Sequence, residues 1–383
     1  MVPQKIVTGI DNLVTQSTKF KGKRIALLSN KSSVTSDGEP TRVALLRNGF
    51  NIVKLFSPEH GLQSTGEDGQ YQAHGRDALT GLPVTSLYGD TLAPREEDMY
   101  NIDLVISDLP DIGCRFYTYL WTMTHVMESC ERFNIPMLIA DRPNPIATDL
   151  EYAEGPMLDP GCASFIGRWN IPLKHNCTIA ELAQFFKHTY TPNLNLEIIP
   201  LSHWKRESGF SYPFLPTSPA MQSIHAACLY PGTGLLEGIY INEGRGTQHP
   251  FEQFGAPWID ANDLKDIFDS ADLPNIKTHT VSYTPRSGLY EKEKCYGLFL
   301  EITDPAKLKP VEAGITLIKA LCTLYPEEIR ENLYKTVANP EGTSHLDKLL
   351  GIPDALVRIK KQEFIPTDVE ENWKNEVADF LLY

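Results

Sequence analysis

Residues 57–61 (SPEHG) place a carboxylate beside an imidazole, and both groups can exchange protons with a substrate. The preceding segment 51–56 (NIVKLF) is apolar and rich in β-formers, so it predicts a short buried strand. Glu59 and His60 therefore lie where a strand ends in a loop bounded by a proline and a glycine. Because open α/β sheets bind ligands at this edge, we predict a site here. A turn with two exposed polar residues is the alternative for this pentapeptide alone.

Three more segments predict strands that end in polar loops, namely 23–30 (KRIALLSN), 103–108 (DLVISD) and 135–141 (IPMLIAD). Their exits carry acidic, amide and guanidinium groups: Asn30, Asp108, Asp111, Asp141, Arg142 and Asn144. Parallel strands bring such exits to one rim. Any single Asp or Asn is explained as a helix cap. Four polar exits that include Glu and Arg favour a binding or catalytic site.

Helical segments separate these strands. Residues 41–48 have helical spacing, 117–133 predict a longer helix, and 178–186 open with a Thr178–Glu181 capping box. A further strand is predicted at 194–201. The strand–helix–strand order indicates right-handed βαβ units and a parallel sheet, hence an α/β fold. Beyond about residue 205 the sequence becomes richer in proline and glycine, so we predict domains at 1–205 and 206–383.

Composition excludes several classes of protein. The chain has 383 residues, of which 42% are hydrophobic and 22% charged, with a net charge of −14. That charge disfavours nucleic acid and anionic membrane surfaces as partners, and no apolar run approaches the roughly 20 residues of a membrane span. The first residues hold no signal-peptide core, so the sequence as written predicts a cytoplasmic protein, or a periplasmic or secreted one if a leader was removed. Oligomeric state is not predicted.

Cofactor and metal signatures are missing from the sequence. The seven cysteines include no CxxC pair, HExxH is absent, and neither GxGxxG nor GxxxxGK[ST] occurs. We therefore predict buried thiols, no metal and no cofactor, and we disfavour a dehydrogenase. A GxSxG nucleophile elbow is also absent. Carboxylates and aromatic residues crowd the predicted loops instead, which is the combination that glycoside hydrolysis requires.

A set of short motifs then identifies a family. In chain order these are 57–61 (SPEHG), 80–84 (TGLPV), 86–89 (SLYG), 111–119 (DIGCRFYTY), 141–145 (DRPNP), 154–156 (EGP), 230–232 (YPG), 243–247 (EGRGT), 250–252 (PFE) and 255–258 (GAPW). Together they resemble the NamZ family of exo-β-N-acetylmuramidases, and the resemblance runs nearly from end to end.

The resemblance implies a Rossmann-like amino-terminal domain, a smaller α+β carboxy-terminal domain and an active cleft between them. It implies release of N-acetylmuramic acid from the non-reducing end of peptidoglycan fragments, such as muropeptides or muramyl-glucosamine disaccharides, in cell-wall turnover. The glutamate of SPEHG, here Glu59, is the catalytic residue that it implies. A non-catalytic saccharide-binding or sensing protein on the same scaffold is the alternative.

From these motifs we predict the site. The catalytic candidates are the carboxylates Glu59, Asp111 and Glu243. The substrate-binding candidates are His60, Arg115, Tyr117, Tyr119, Arg142, Asn144, Glu154 and Arg245. We predict that Glu59 is the general acid, and that at least one of the three arginines binds the lactyl carboxylate of muramic acid, because Arg binds carboxylates bidentately. A nucleophile is not assigned, since the substrate's acetamido oxygen can also attack.

Overall fold

A computed structural model describes residues 5–16, 18–206, 212–369 and 371–383. The chain folds into a mixed α/β structure with one large sheet and two smaller ones. The strands are β1 (Arg24–Leu28), β2 (Asn51–Ser57), β3 (Gly75–Arg76), β4 (Pro83–Ser86), β5 (Leu104–Ser107), β6 (Met137–Ala140), β7 (Glu154–Met157), β8 (Pro172–Lys174), β9 (Leu196–Ile199), β10 (Gln253–Ala256), β11 (Ile276–Tyr283) and β12 (Cys295–Ile302).

Eleven α-helices are assigned within the described residues. They are α1 (Gly9–Gln16), α2 (Thr41–Arg47), α3 (Glu96–Met99), α4 (Thr118–Arg132), α5 (Ile179–Tyr190), α6 (Ile224–Thr233), α7 (Ala261–Asp269), α8 (Pro310–Leu324), α9 (His345–Leu350), α10 (Ala355–Lys360) and α11 (Glu371–Val377).

The large sheet has seven strands in the order β3-β4-β2-β1-β5-β6-β9. All neighbours pair in parallel except β3, which runs antiparallel to β4. Along β1, Ile25 and Leu27 belong to a core with α1 and α2, whereas Ala26 and Leu28 belong to a core with α4 and α5. Both faces are therefore covered by helices, as a parallel sheet requires. The predicted Rossmann-like sheet is confirmed.

The carboxy-terminal part is built on an antiparallel sheet, β10-β12-β11, with α7 and α8 packed beside it. The two-stranded antiparallel sheet β7-β8 is inserted in the chain between β6 and β9 of the large sheet. One hydrophobic core contains residues of the large sheet and of α8. The two parts thus share a core, and the predicted boundary near residue 205 stays a prediction.

Helix α6 is the clearest element that the sequence analysis misses. It contains Pro231, and its residues are buried from Ala226 to Thr233, so the amphipathic period that reveals a surface helix is absent. The segment packs on α8 at very short range, because a Cβ atom on Gly232 would lie 1.8 Å from the Pro310 carbonyl oxygen. A glycine is required by this contact. The strands β3, β7, β8, β10 and β11 and the helices α1, α3, α9 and α10 were likewise not predicted.

Several smaller predictions can be compared with the structure. The capping box at Thr178 and Glu181 opens α5, as predicted. Trp373, on α11, docks in the core with no exposed surface. All seven cysteines are buried free thiols. No helix within the described ranges is both long and apolar enough to cross a bilayer.

Candidate functional site

The central carboxylate of the site is positioned by the end of β2. Strand pairing of β2 stops at Ser57, and the chain then turns sharply, with a hydrogen bond from the Gly61 amide to the Pro58 carbonyl of 3.0 Å. His60 and Gly61 both adopt left-handed backbone angles, with φ of 65° and 71°. A β-branched residue would resist this conformation. The turn directs Glu59 inward, where its exposed fraction is only 5%.

Two donors hold the Glu59 carboxyl group. The Thr118 hydroxyl, at the first residue of α4, donates to Oε2 at 2.7 Å, and the Gly69 amide donates to Oε1 at 2.8 Å. Burial, aided by the nearby charge of Asp68, raises the pKa of Glu59 above its usual range, and the two donors oppose that shift only in part. Glu59 is therefore a carboxyl group that can keep its proton where ordinary glutamates have lost theirs.

His60 and Asp68 lie beside this carboxyl group. The Nδ1 atom of His60 is 2.8 Å from the Gly66 carbonyl oxygen, and its Nε2 atom is 3.8 Å from Asp68 Oδ1. Ligand atoms from Glu59, His60 and Asp68 all lie within 4.8 Å of one another, a spacing that could hold a metal ion. Both Glu59 oxygens already accept hydrogen bonds, however, and a guanidinium lies against Asp68. These contacts disfavour a cation at that position.

That guanidinium belongs to Arg245, which is surrounded by carboxylates. Its nitrogens lie 2.6 Å from Glu237, 2.7 Å from Glu243 and 3.3 Å from Asp68. Although burial alone lowers the pKa of Arg245, the three carboxylates raise it. Burial and the charges of Asp68 and Glu243 also raise the pKa of Glu237 to about 8, despite the opposing effect of Arg245. The positive charge of Arg245 is thus already balanced inside the protein.

All of these groups except Glu243 line a pocket with an empty volume of about 770 Å³. Seven of its lining residues are aromatic and come from both parts of the chain: Tyr88, Phe116, Tyr117, Phe165, Tyr230, Phe251 and Tyr334. The Tyr334 hydroxyl contacts Asp68, which ties the carboxy-terminal part to the loop that follows β2. A pocket of this size, with rings and a few convergent polar groups, is suited to a sugar.

The structure brings four of the predicted site residues to the pocket lining: Glu59, His60, Tyr117 and Arg245. Glu243 lies directly behind Arg245 and reaches the pocket only through it. The hydroxyl group of Tyr119 donates to the Thr217 carbonyl at 2.7 Å, and its ring packs on Tyr117. Glu243 and Tyr119 are therefore neighbours of the pocket rather than parts of its wall.

Five other predicted residues lie outside the lining. Arg115 is fully buried and donates to three backbone carbonyls, those of Pro156, Ile171 and Leu349. Arg142 is buried against Asp108, with nitrogen and oxygen 2.6 Å apart. These two guanidinium groups hold the fold together at the places where the sequence analysis expects them to hold substrate.

Asp111, Asn144 and Glu154 likewise contact protein groups. Asp111 accepts a hydrogen bond from the Gly113 amide at 2.9 Å and lies 3.3 Å from His175. The Asn144 side chain donates to the Cys177 carbonyl at 2.9 Å. Glu154, on β7, accepts hydrogen bonds from the backbone amides of residues 311 and 312 in the first turn of α8. It therefore caps the amino-terminal end of that helix.

Five important pocket residues were not among the predicted site residues: Asp68, Glu237, Tyr334, His345 and Lys348. Asp68 lies in the long polar stretch 63–81, and loops of that length are usually functional, so the signal was present. Glu237 belongs to none of the short motifs. Tyr334, His345 and Lys348 lie in a segment without any recognisable pattern of catalytic or ligand-binding residues.

Comparison with known proteins shows to which family the chain is similar. Two family models match, described as the N-terminal and C-terminal parts of the exo-β-N-acetylmuramidase NamZ, over residues 25–225 and 228–382. The peptidoglycan β-N-acetylmuramidase NamZ of Bacillus subtilis is 39% identical over 329 residues, which cover 85% of this chain and 79% of that protein.

Two solved structures from Bacteroides fragilis, both of the DUF1343 family, are also similar. One superimposes with a TM-score of 0.83 at 28% identity, and the other with a TM-score of 0.72 at 26% identity. Each alignment covers 99% of both chains. The likeness therefore extends over the whole fold, including both parts that line the pocket.

Proposed function

The chain belongs to the NamZ family of exo-β-N-acetylmuramidases, and on that premise we propose that it hydrolyses the β-glycosidic bond of N-acetylmuramic acid at the non-reducing end of peptidoglycan fragments. The observation that carries this proposal is Glu59, a buried carboxyl group with a raised pKa in an aromatic-lined pocket. A glycosidic oxygen is a poor leaving group unless it is protonated. A carboxyl group of this kind supplies the proton.

The contacts of Glu59 suit a general acid in both of its states. Burial favours the protonated form before the reaction. As the proton moves to the glycosidic oxygen, negative charge develops on the carboxylate, and the donors from Thr118 and Gly69 are already in place to stabilise it. Groups that interact more strongly as charge develops lower the barrier rather than merely binding the substrate.

Asp68 is the second carboxylate that we assign to the reaction. One of its oxygens lies within 4.8 Å of a Glu59 oxygen. Retaining glycosidases hold their carboxyl groups about 5–5.5 Å apart, whereas inverting enzymes need about 6.5–9.5 Å to admit a water molecule. The short spacing supports a retaining course. The attacking atom is then either Asp68 itself or the substrate's acetamido oxygen, oriented by Asp68.

The other predicted catalytic carboxylates receive supporting roles in this proposal. Glu243 orients Arg245, which in turn contacts Asp68. Asp111 lies outside the pocket lining, and its bond to the Gly113 amide stabilises the turn that precedes α4. Neither is assigned a proton transfer.

The pH profile of kcat/KM is expected to move in opposite directions in two variants. Activity requires protonated Glu59, so it falls as pH rises through the Glu59 pKa. Asp68→Asn also lowers the rate, since it removes the second carboxylate, and the alkaline limb of the residual activity should shift to lower pH because the negative charge of Asp68 raises this pKa. His60→Gln removes a charge that lowers it, and the limb should shift up. Steady-state assays from pH 4 to 9 measure both shifts.

Glu67→Gln is the matched control, because Glu67 is an exposed carboxylate that neighbours Asp68 and has no part in the shifted pKa of Glu59. Its profile should coincide with that of the wild-type protein. Shifts of the same sign in Asp68→Asn and His60→Gln would contradict the assignment of Glu59 as the titrating acid.

The reaction itself is tested with two defined disaccharides. The protein should release N-acetylmuramic acid from a disaccharide that carries it at the non-reducing end. It should leave intact the disaccharide with the reversed order of the two sugars. Mass spectrometry of the products separates these outcomes. Tight binding of the first disaccharide without product after long incubation would indicate a saccharide-binding protein instead.

A further inference from the structure

Two long cationic side chains line the pocket, and they differ in their surroundings. Arg245 has three carboxylates as partners. Lys348, on α9, donates from Nζ to the neutral Asn339 side chain at 2.8 Å and to the Thr343 carbonyl at 2.9 Å. Among the residues that the structure describes, no acidic oxygen lies within 4.0 Å of it. Among those residues Lys348 therefore has no carboxylate at ion-pair distance, although the charges of Glu331 and Asp347 act on it from farther away.

His345 lies three residues before Lys348 on the same helix, so the two side chains share one face. It is 4% exposed, and within the described ranges neither ring nitrogen has a hydrogen-bond partner. Its ring stacks on Tyr334 with centroids 4.4 Å apart, which fixes its orientation. Burial lowers the pKa of His345 to about 4, so at neutral pH the ring offers one N–H donor. A buried donor without a partner is costly, and a ligand would satisfy it.

The carboxyl groups of the pocket cluster around Arg245, and one of them, Asp68, also acts on His345 through its charge. The wall that holds Glu59, Asp68 and Glu237 offers a further anion no free counter-charge, because Arg245 is already paired there. Desolvation lowers the pKa of Lys348, so an incoming carboxylate would restore interactions that the ammonium has lost. An anionic group on the substrate is thus best accommodated beside α9.

We propose that Lys348 and His345 bind the lactyl carboxylate of N-acetylmuramic acid, with the Lys348 ammonium as its counter-ion and a His345 N–H as a second donor. This inference rests on the proposed function and adds the group that selects muramic acid over N-acetylglucosamine. It replaces the expectation that Arg115, Arg142 or Arg245 has this role, because the first two lie outside the lining and the third is already paired.

The test compares binding of N-acetylmuramic acid and of its lactyl methyl ester by isothermal titration calorimetry. The ester keeps the sugar and the ether but removes the charge. Wild-type protein should bind the acid more tightly than the ester. Lys348→Met, which keeps the apolar stem, should weaken binding of the acid by about 10- to 100-fold and leave binding of the ester unchanged. His345→Phe, which keeps the stacked ring, should weaken binding of the acid several-fold.

Lys319→Met is the matched control, because Lys319 lies outside the pocket and donates to a backbone carbonyl. Lys348→Arg should keep most of the preference for the acid, and thermal unfolding verifies that each variant is folded. An unchanged preference for the acid in folded Lys348→Met overturns the inference, while hydrolysis by the wild-type protein still supports the proposed function. A wild-type protein that neither binds N-acetylmuramic acid nor hydrolyses the disaccharide overturns both.

Discussion

Replacing Glu59 by Gln is expected to lower kcat on the muramyl disaccharide by about 10²- to 10⁴-fold, the usual cost of losing a positioned general acid. Glutamine keeps the shape of the side chain, and its amide oxygen can still accept a bond from Thr118 or Gly69. What it lacks is a transferable proton. Steady-state kinetics on the purified variant measure the loss.

The fold and the binding step should be unaffected in this variant. Thermal unfolding and the affinity for N-acetylmuramic acid should match those of the wild-type protein, and Glu67→Gln should retain full activity. A Glu59→Gln enzyme with near-normal kcat on the disaccharide would show that Glu59 is only a loop residue. Attention would then move to Asp68 and Glu237, the other carboxylates of the pocket.

Replacing Arg142 by Ala is expected to cost about 3–5 kcal/mol of unfolding free energy, because it leaves a buried carboxylate without its counter-charge. Asp108 has no exposed surface, and Arg142 contacts both of its oxygens, at 2.6 and 2.9 Å. Burial raises the pKa of Asp108, and Arg142 opposes that shift. Urea unfolding followed by circular dichroism measures the loss.

Arg24→Ala is the matched control, since Arg24 pairs with Asp103 at 2.7 Å while both side chains remain substantially exposed. Surface pairs contribute about 0–1 kcal/mol, so this variant should be nearly as stable as the wild-type protein. If Arg142→Ala were as stable as Arg24→Ala but bound N-acetylmuramic acid weakly, Arg142 would be a substrate ligand, as the sequence analysis predicts.

The elements around the catalytic turn were predictable from the sequence. Segments such as 51–56 and 103–108 are short apolar runs bounded by turn residues, and parallel strands buried on both faces have this pattern. The turn at Glu59 was also predictable, because a carboxylate between Pro58 and Gly61 directly follows such a run. Local pattern and fold agree at this edge of the sheet.

The roles of the charged residues in the loops were not predictable in the same way. Arg142 at the end of β6 and Glu154 in β7 are as polar as Glu59, yet the first balances Asp108 and the second caps α8. Only the packing of distant segments decides whether such a group faces protein or ligand. His345 and Lys348 illustrate the converse, since they reach the pocket from a helix with no recognisable motif.

The most direct test of the central claim compares the Glu59→Gln defect on two substrates that differ only in their leaving group. One is the natural disaccharide, and the other is a dinitrophenyl N-acetylmuramide, whose aglycone departs without protonation. If Glu59 is the general acid, the loss of kcat/KM on the aryl glycoside should be at least about tenfold smaller than the loss on the disaccharide. Equally large losses on both substrates would contradict the account and would identify Glu59 as the nucleophile.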